Sequence, residues 1–111
     1  MTADKISRQP TPTLPDNAEL SRFQEETLFT IAEHGPMIGL DVKHYLGERY
    51  DEGVNHGRLY PNLDELVEGG LVEKGEVNGR TNRYELTERG AELLHDLFEL
   101  RARQLGLTED E

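Results

Sequence analysis

NHGRLYPNLDELVEGGLVEKGEVNGRTNRYELTERG, residues 55–90, decides how the rest of the chain is read. Leu59, Leu63, Leu66 and Val67 fall at i, i+4, i+7 and i+8, the buried stripe of a helix over about 56 to 68. Gly69-Gly70 stops it. Pro61 lacks an amide hydrogen and crowds the carbonyl four residues back. It must therefore lie in the first turn, or Gly57 must relieve the crowding; regular helix is expected from near Leu59, with Asn55 or Gly57 opening the turn. Next come LVEKGEV and RTNRYEL, two short extended segments flanking Asn78-Gly79, a pair that favours a type I′ hairpin turn. A long helix follows, capped by Thr87.

Upstream, SRFQ at 21–24 fits a capping box, with the Ser21 hydroxyl on first-turn amides and Gln24 reaching back. Phe23, Thr27, Leu28, Ile31 and Ala32 give that helix one apolar face, and His34-Gly35-Pro36 ends it. Met37-Ile38 suits a very short strand. A second helix is expected over about 39–50, with Leu40, Tyr45 and Leu46 inward. The order is helix, helix, helix, hairpin, helix. This predicts a mainly α fold with a small antiparallel hairpin: a winged helix-turn-helix with a C-terminal dimerisation helix. The expected divisions are a flexible N-terminal arm at 1–18, rich in proline and polar residues, the winged domain at 19–86, the C-terminal helix at 87–106 and an acidic tail at 107–111. On the last helix Ala91, Leu93, Leu94, Leu97, Phe98 and Leu100 form a stripe that reads as too wide for one small domain to bury, and so as a dimer seam.

Charge sharpens the reading. The 111 residues carry 23 acidic against 12 basic side chains, a net charge of −11, with three lysines, nine arginines and 6% aromatics. Such a balance suits high intracellular salt, where concentrated cations screen the self-repulsion. Yet GVNHGRLYPNL at 53–63 and VNGRTNRY at 77–84 contain no Asp or Glu. In a winged domain these are the start of the third helix, which enters the major groove, and the wing tip, which reaches backbone or minor groove. Duplex DNA repels carboxylates, so an acidic protein that binds it must clear its contact surface. The expected contacts are Asn55, His56, Arg58, Tyr60, Asn62, Arg80, Thr81, Asn82 and Arg83. Arginine suits guanine edges or phosphate, asparagine suits adenine, and hydroxyls suit phosphate. Each has a structural alternative: Asn78-Gly79 is a turn signal whatever the function, Tyr60 can be a packing residue, and Arg83 can pair with Glu85 or Glu73.

The same stretch resembles the PadR-like winged-helix transcription regulators. Their pattern runs Gly-x-Leu-Tyr-Pro-x-Leu, then Leu-x-x-x-Gly-Leu-[Ile/Val], then Tyr-x-[Leu/Ile]-Thr-x-x-Gly. Gly57, Leu59, Tyr60, Pro61, Leu63, Leu66, Gly70, Leu71, Val72, Tyr84, Leu86, Thr87 and Gly90 match it in place. The likeness covers about 21 to 104 and, with the acidity, is that of a member from a halophilic archaeon. It implies a homodimeric regulator on a pseudo-palindromic site of double-stranded DNA, dimerised through its C-terminal helix. At Arg58 and Asn62 the chain departs from relatives that often carry small or apolar residues there.

Other classes fit less well. No cysteine is present, which removes thiolate metal sites and any thiol-based redox partner. His34, His44, His56 and His95 show no His-x-x-x-His spacing, and there is neither a phosphate loop nor a nucleophile motif, so no catalytic residue, metal site or cofactor is expected. Potassium or other cations bridging protein and DNA are the one addition foreseen, because Asp64, Glu65, Glu76 and Glu85 flank the cleared surface. No apolar run approaches the roughly 20 residues of a membrane span, and no secretory signal is read, so the expected location is cytoplasmic without membrane contact. The alternative function is a winged-helix module for protein contacts alone, which the presence of Arg80 and Arg83 disfavours.

Overall fold

The computed structural model describes residues 19–107, so the expected arm at 1–18 and the tail beyond Leu107 fall outside the described residues. Helix α1 spans Arg22–His34. Its capping box forms as expected: the Ser21 hydroxyl accepts from the Gln24 amide at 3.1 Å, and Gln24 Oε1 accepts from the Ser21 amide at 3.1 Å. Phe23, Thr27, Leu28 and Ile31 are buried, while Ala32 faces outward.

Strand β1 (Met37–Ile38) leads directly into helix α2 (Gly39–Gly47). The phase of α2 differs from the expected one. Gly39, Val42 and Leu46 are its buried face, and Leu40 is 58% exposed. The cause lies at Gly39, where a Cβ would collide with the Tyr60 ring. With Gly39 seated there, Val42 and Leu46 follow inward at i+3 and i+7, and Leu40 turns away. The helix ends at Gly47, short of Tyr50, and Gly53 at φ 75° turns the chain toward the third helix.

Helix α3 (His56–Glu68) starts before Leu59, capped by Asn55 Oδ1, which accepts from the Arg58 amide at 2.9 Å. Pro61 therefore lies beyond the first turn, and Gly57 is the residue four back that leaves room for its ring. Leu59, Leu63 and Leu66 are at most 1% exposed, each contributing about 1.5–3 kcal/mol of burial. Gly70, at φ 79°, closes the helix; its amide bonds Val67 O at 3.0 Å and the Leu71 amide bonds Leu66 O at 3.0 Å. This paired closure needs a left-handed residue, which glycine adopts without strain.

Strands β2 (Val72–Glu76) and β3 (Asn82–Leu86) form the antiparallel wing, with Lys74 opposite Tyr84. β1 adds to the free edge of β3, Met37 opposite Tyr84, giving the order β1-β3-β2. The wing turn is wider than a two-residue I′ turn: the Val77 amide bonds Thr81 O at 2.7 Å, enclosing Asn78, Gly79 and Arg80, with Gly79 at φ 86°.

Helix α4 (Glu88–Gln104) is capped by Thr87, whose hydroxyl accepts from the Gly90 amide at 2.9 Å. That hydroxyl also donates to Gly70 O at 2.7 Å, and the Thr87 amide donates to Leu71 O at 3.0 Å. A Cβ at Gly90 would strike the Leu71 carbonyl, so only glycine admits this approach. The width of the α4 stripe needs correction. Leu93, Leu94 and Leu97 belong to the chain's own core with Phe23, Leu28 and Tyr84, because α4 packs back over α1 and β3; Leu100 is also buried. Of the six stripe residues only Ala91 and Phe98 are exposed, Phe98 at 65%. No helix among the described residues is long and apolar enough to cross a membrane.

The architecture is a winged helix-turn-helix, as the sequence predicts: four described helices, a small antiparallel sheet and a C-terminal helix laid across them.

Candidate DNA interface

The base of the wing packs beside α3. Only residues 69–71 separate α3 from strand β2, and Lys74 Nζ meets Asp64 Oδ1, one turn back along α3, at 3.7 Å. Tyr84 of β3, opposite Lys74, lies near both Asp64 and Tyr60. Tyr84 sits beneath this junction, 2% exposed. Burial, then the nearby Asp64 charge and Tyr60, push its phenol above the ordinary range, and a hydrogen bond with Asn82 pulls the other way. Tyr84 is thus a neutral phenol that ties the wing to α3.

The wing supplies the freest cations. Arg80 is exposed at the turn and, among the described residues, has no ion-pair partner. Arg83 is also exposed, but its guanidinium meets Glu85 at 3.7 Å, the competing pair foreseen for it. Such an exposed pair is weak and yields readily to a phosphate. Thr81 and Asn82 are half-buried, Thr81 closing the turn through its carbonyl and Asn82 bonded to Tyr84.

At the start of α3 the expected contacts divide. His56 is exposed and meets the Tyr60 ring edge-on at 5.2 Å. Arg58 is exposed with its guanidinium 4.0 Å above the Phe23 ring. Asn55 is exposed but spends its side-chain oxygen on the helix cap. Tyr60 is half-buried, packed over Gly39 and against the core, as the packing reading expects. Asn62 is drawn inward: its Oδ1 accepts from Gln24 Nε2 at 3.0 Å and its Nδ2 donates to Arg58 O at 2.8 Å. Gln24 Nε2 also donates to Glu65 Oε1 at 2.8 Å, so one buried glutamine ties α1 to α3. As folded, Asn62 spends one of its two amide hydrogens and one of its two oxygen lone pairs inside the protein.

Two features escaped the sequence reading. Lys74 pairs with Asp64 across β2 and α3, a link that sequence spacing does not disclose. Gln24 was read as half of a capping box, whereas its amide hydrogens reach a helix 38 positions away. Elsewhere, on α4, exposed His95, Asp96 and Glu99 bring ligand-type atoms within 4.8 Å of one another, a surface grouping common without an ion.

Comparison with known proteins agrees with this geometry. The model of the transcriptional regulator PadR-like family matches residues 28–96. Among solved structures, RosR of H. salinarum grown from NaBr is 44% identical, covering 86% of this chain and 86% of that one, with a TM-score of 0.78. The complex structure of RosR-S1 is 46% identical, covering 81% and 80%, with a TM-score of 0.77. F93 from STIV, a winged-helix DNA-binding protein, shares the fold at 20% identity, covering 76% and 92%, with a TM-score of 0.63. No curated protein sequence matches the chain. The family is one of regulators, not enzymes.

Proposed function

The chain belongs to the PadR-like family of transcriptional regulators, and from that premise we propose that it is a homodimer reading a pseudo-palindromic DNA site in concentrated salt. The observation that supports this is the wing packed beside α3 through Lys74 and Asp64, with Arg80 and Arg83 exposed on the wing and His56 and Arg58 exposed at the start of α3. In this reading α3 enters the major groove by its first turns and the wing tip grips the neighbouring backbone. Two subunits related by a two-fold axis would repeat the contact on the second half-site.

The seam is assigned to the exposed part of α4. Ala91 and Phe98 lie on its open side, and Leu105 and Leu107 continue the apolar surface at 73% and 72% exposure. Leu93, Leu94 and Leu97 support the seam from beneath, as core. Phe98→Asp is expected to shift the protein from dimer to monomer in sedimentation velocity without unfolding it; an unchanged sedimentation coefficient would remove α4 from the seam.

Salt tolerance follows from Asp64, Glu65, Glu76 and Glu85 around the contact. Pressed toward phosphates, these carboxylates need cations between the like charges, so potassium is taken up at places where an ordinary binder releases it. At about 1 M salt the screening length is only about 3 Å. Affinity for the operator is therefore expected to hold or rise as potassium climbs toward molar concentration. A steady fall over that range, with the dimer intact, would refute the cation bridge.

A further inference from the structure

The way Arg58 is held carries a step beyond this reading, and rests on it. Several described cations near α3 and the wing are paired with acids, Lys74 with Asp64 at 3.7 Å, Arg83 with Glu85 at 3.7 Å and Arg49 with Glu26 at 3.8 Å, whereas Arg80 projects from the wing turn without one. Arg58 has no acidic partner among the described residues. Its guanidinium carbon lies 4.0 Å over the Phe23 ring and 5.6 Å from the Tyr50 ring. The two rings contact each other at 5.9 Å, tilted by 49°, and form a corner of an aromatic seat. Phe23 is buried in the core and Tyr50 is packed against it, so the seat is rigid.

We propose that Phe23 and Tyr50 are positioning residues that pre-order Arg58 to grip a backbone phosphate of the DNA beside the start of α3. The argument has three parts. A guanidinium lying on a ring is attracted to the face of the π system, and its in-plane N–H edge is left open for the two oxygens of a phosphate. A guanidinium held by a carboxylate has part of that edge already occupied. Second, a long side chain fixed beforehand loses less freedom on binding. Third, an exposed ion pair fades in concentrated salt, whereas ring contact depends on close packing and survives. A protein that is −11 overall and works among dense cations gains an ordered arginine this way without adding a carboxylate beside phosphate. Arg58 stands at a position where the composition is otherwise cleared of acids, and its ring partners come from α1 and the α2–α3 connection, not from α3 itself.

The test is a double-substitution cycle read as operator affinity in molar potassium, on the full-length protein. Arg58→Ala alone should weaken binding; if it does not, Arg58 is not a DNA contact and the functional reading of that residue fails. Given that loss, Phe23→Leu and Tyr50→Leu should each weaken binding about three- to ten-fold, and should add almost nothing in the R58A background. Tyr50→Phe, which keeps the ring, should bind like the unsubstituted protein. Equal losses from the leucine substitutions with and without Arg58 would overturn the seat and leave only a packing role. Should Phe23→Leu lower the melting temperature below the assay temperature, the Tyr50 arm decides alone. The Arg58→Ala loss should be uniform across operator variants, as for a phosphate contact; a loss confined to one base pair would replace the phosphate with a guanine edge and overturn the assignment.

Discussion

The start of α3 and the tip of the wing share one trait in sequence, the absence of carboxylates, and part company in structure. At α3 the polar groups already have work inside the protein: Asn55 caps, Tyr60 packs on Gly39, Asn62 is bonded to Gln24, and Arg58 lies on Phe23. At the wing tip a single 2.7 Å backbone bond closes the turn, and Arg80 projects with no ion-pair partner among the described residues. A stretch can thus be cleared of acids for two reasons. Around α3 a carboxylate at 60 or 62 would have been wrong for packing alone. At the tip nothing in the fold forbids one, so the clearing there speaks more directly of an outside partner.

Substitutions can break or sharpen that contrast. The largest effect is expected from Tyr60→Ala, which empties the space over Gly39; about 3 kcal/mol of stability should be lost, seen as a lower denaturant midpoint, with DNA binding lost only as the protein unfolds. A variant as stable as the parent but unable to bind would return Tyr60 to the contact surface. Arg80→Ala and Arg83→Ala should show the reverse pattern. Each should weaken operator binding by about 1–3 kcal/mol, while unfolding free energy moves by less than about 0.5 kcal/mol; Arg83 should show the smaller loss because Glu85 competes for it. Binding unaffected by either change would take the wing off the DNA. The smallest effect belongs to Asn62→Ala. It removes two hydrogen bonds and leaves Gln24 partly unsatisfied, costing about 1 kcal/mol of stability, and base preference across an operator library should stay the same. A changed preference would mean that Asn62 leaves Gln24 when DNA arrives.

What the chain discloses when read as letters follows the same division. Ser21 and Gln24 announce a helix start because the capping box is local. Leu59, Leu63 and Leu66 announce the buried face of α3 because periodicity is local too. The Gly70, Thr87 and Gly90 positions of the family pattern become physical once Thr87 and Gly90 are seen against the Gly70 and Leu71 carbonyls. Hidden from the letters are contacts between distant segments. The bond from Gln24 to Asn62 is one, and the rotation of α2 that puts Val42 inside and Leu40 out, set by Tyr60 on the next helix, is another. The breadth of the α4 stripe misled for the same reason: amphipathicity records that a face is covered and not by whom, and α1 with β3 covers most of it.

The weld at Gly70–Leu71 has a mechanical consequence. Both carbonyls that follow α3 are held by Thr87 at the head of α4, and Gly90 lets that helix press flat against them. Tilting α4 would drag the C-terminal end of α3 with it. In a paired assembly joined along α4, the separation of the two reading heads would then behave like the jaws of a caliper clamped at this joint. A change in how the two long helices cross would be felt as a change in operator spacing, with no small molecule needed near the DNA.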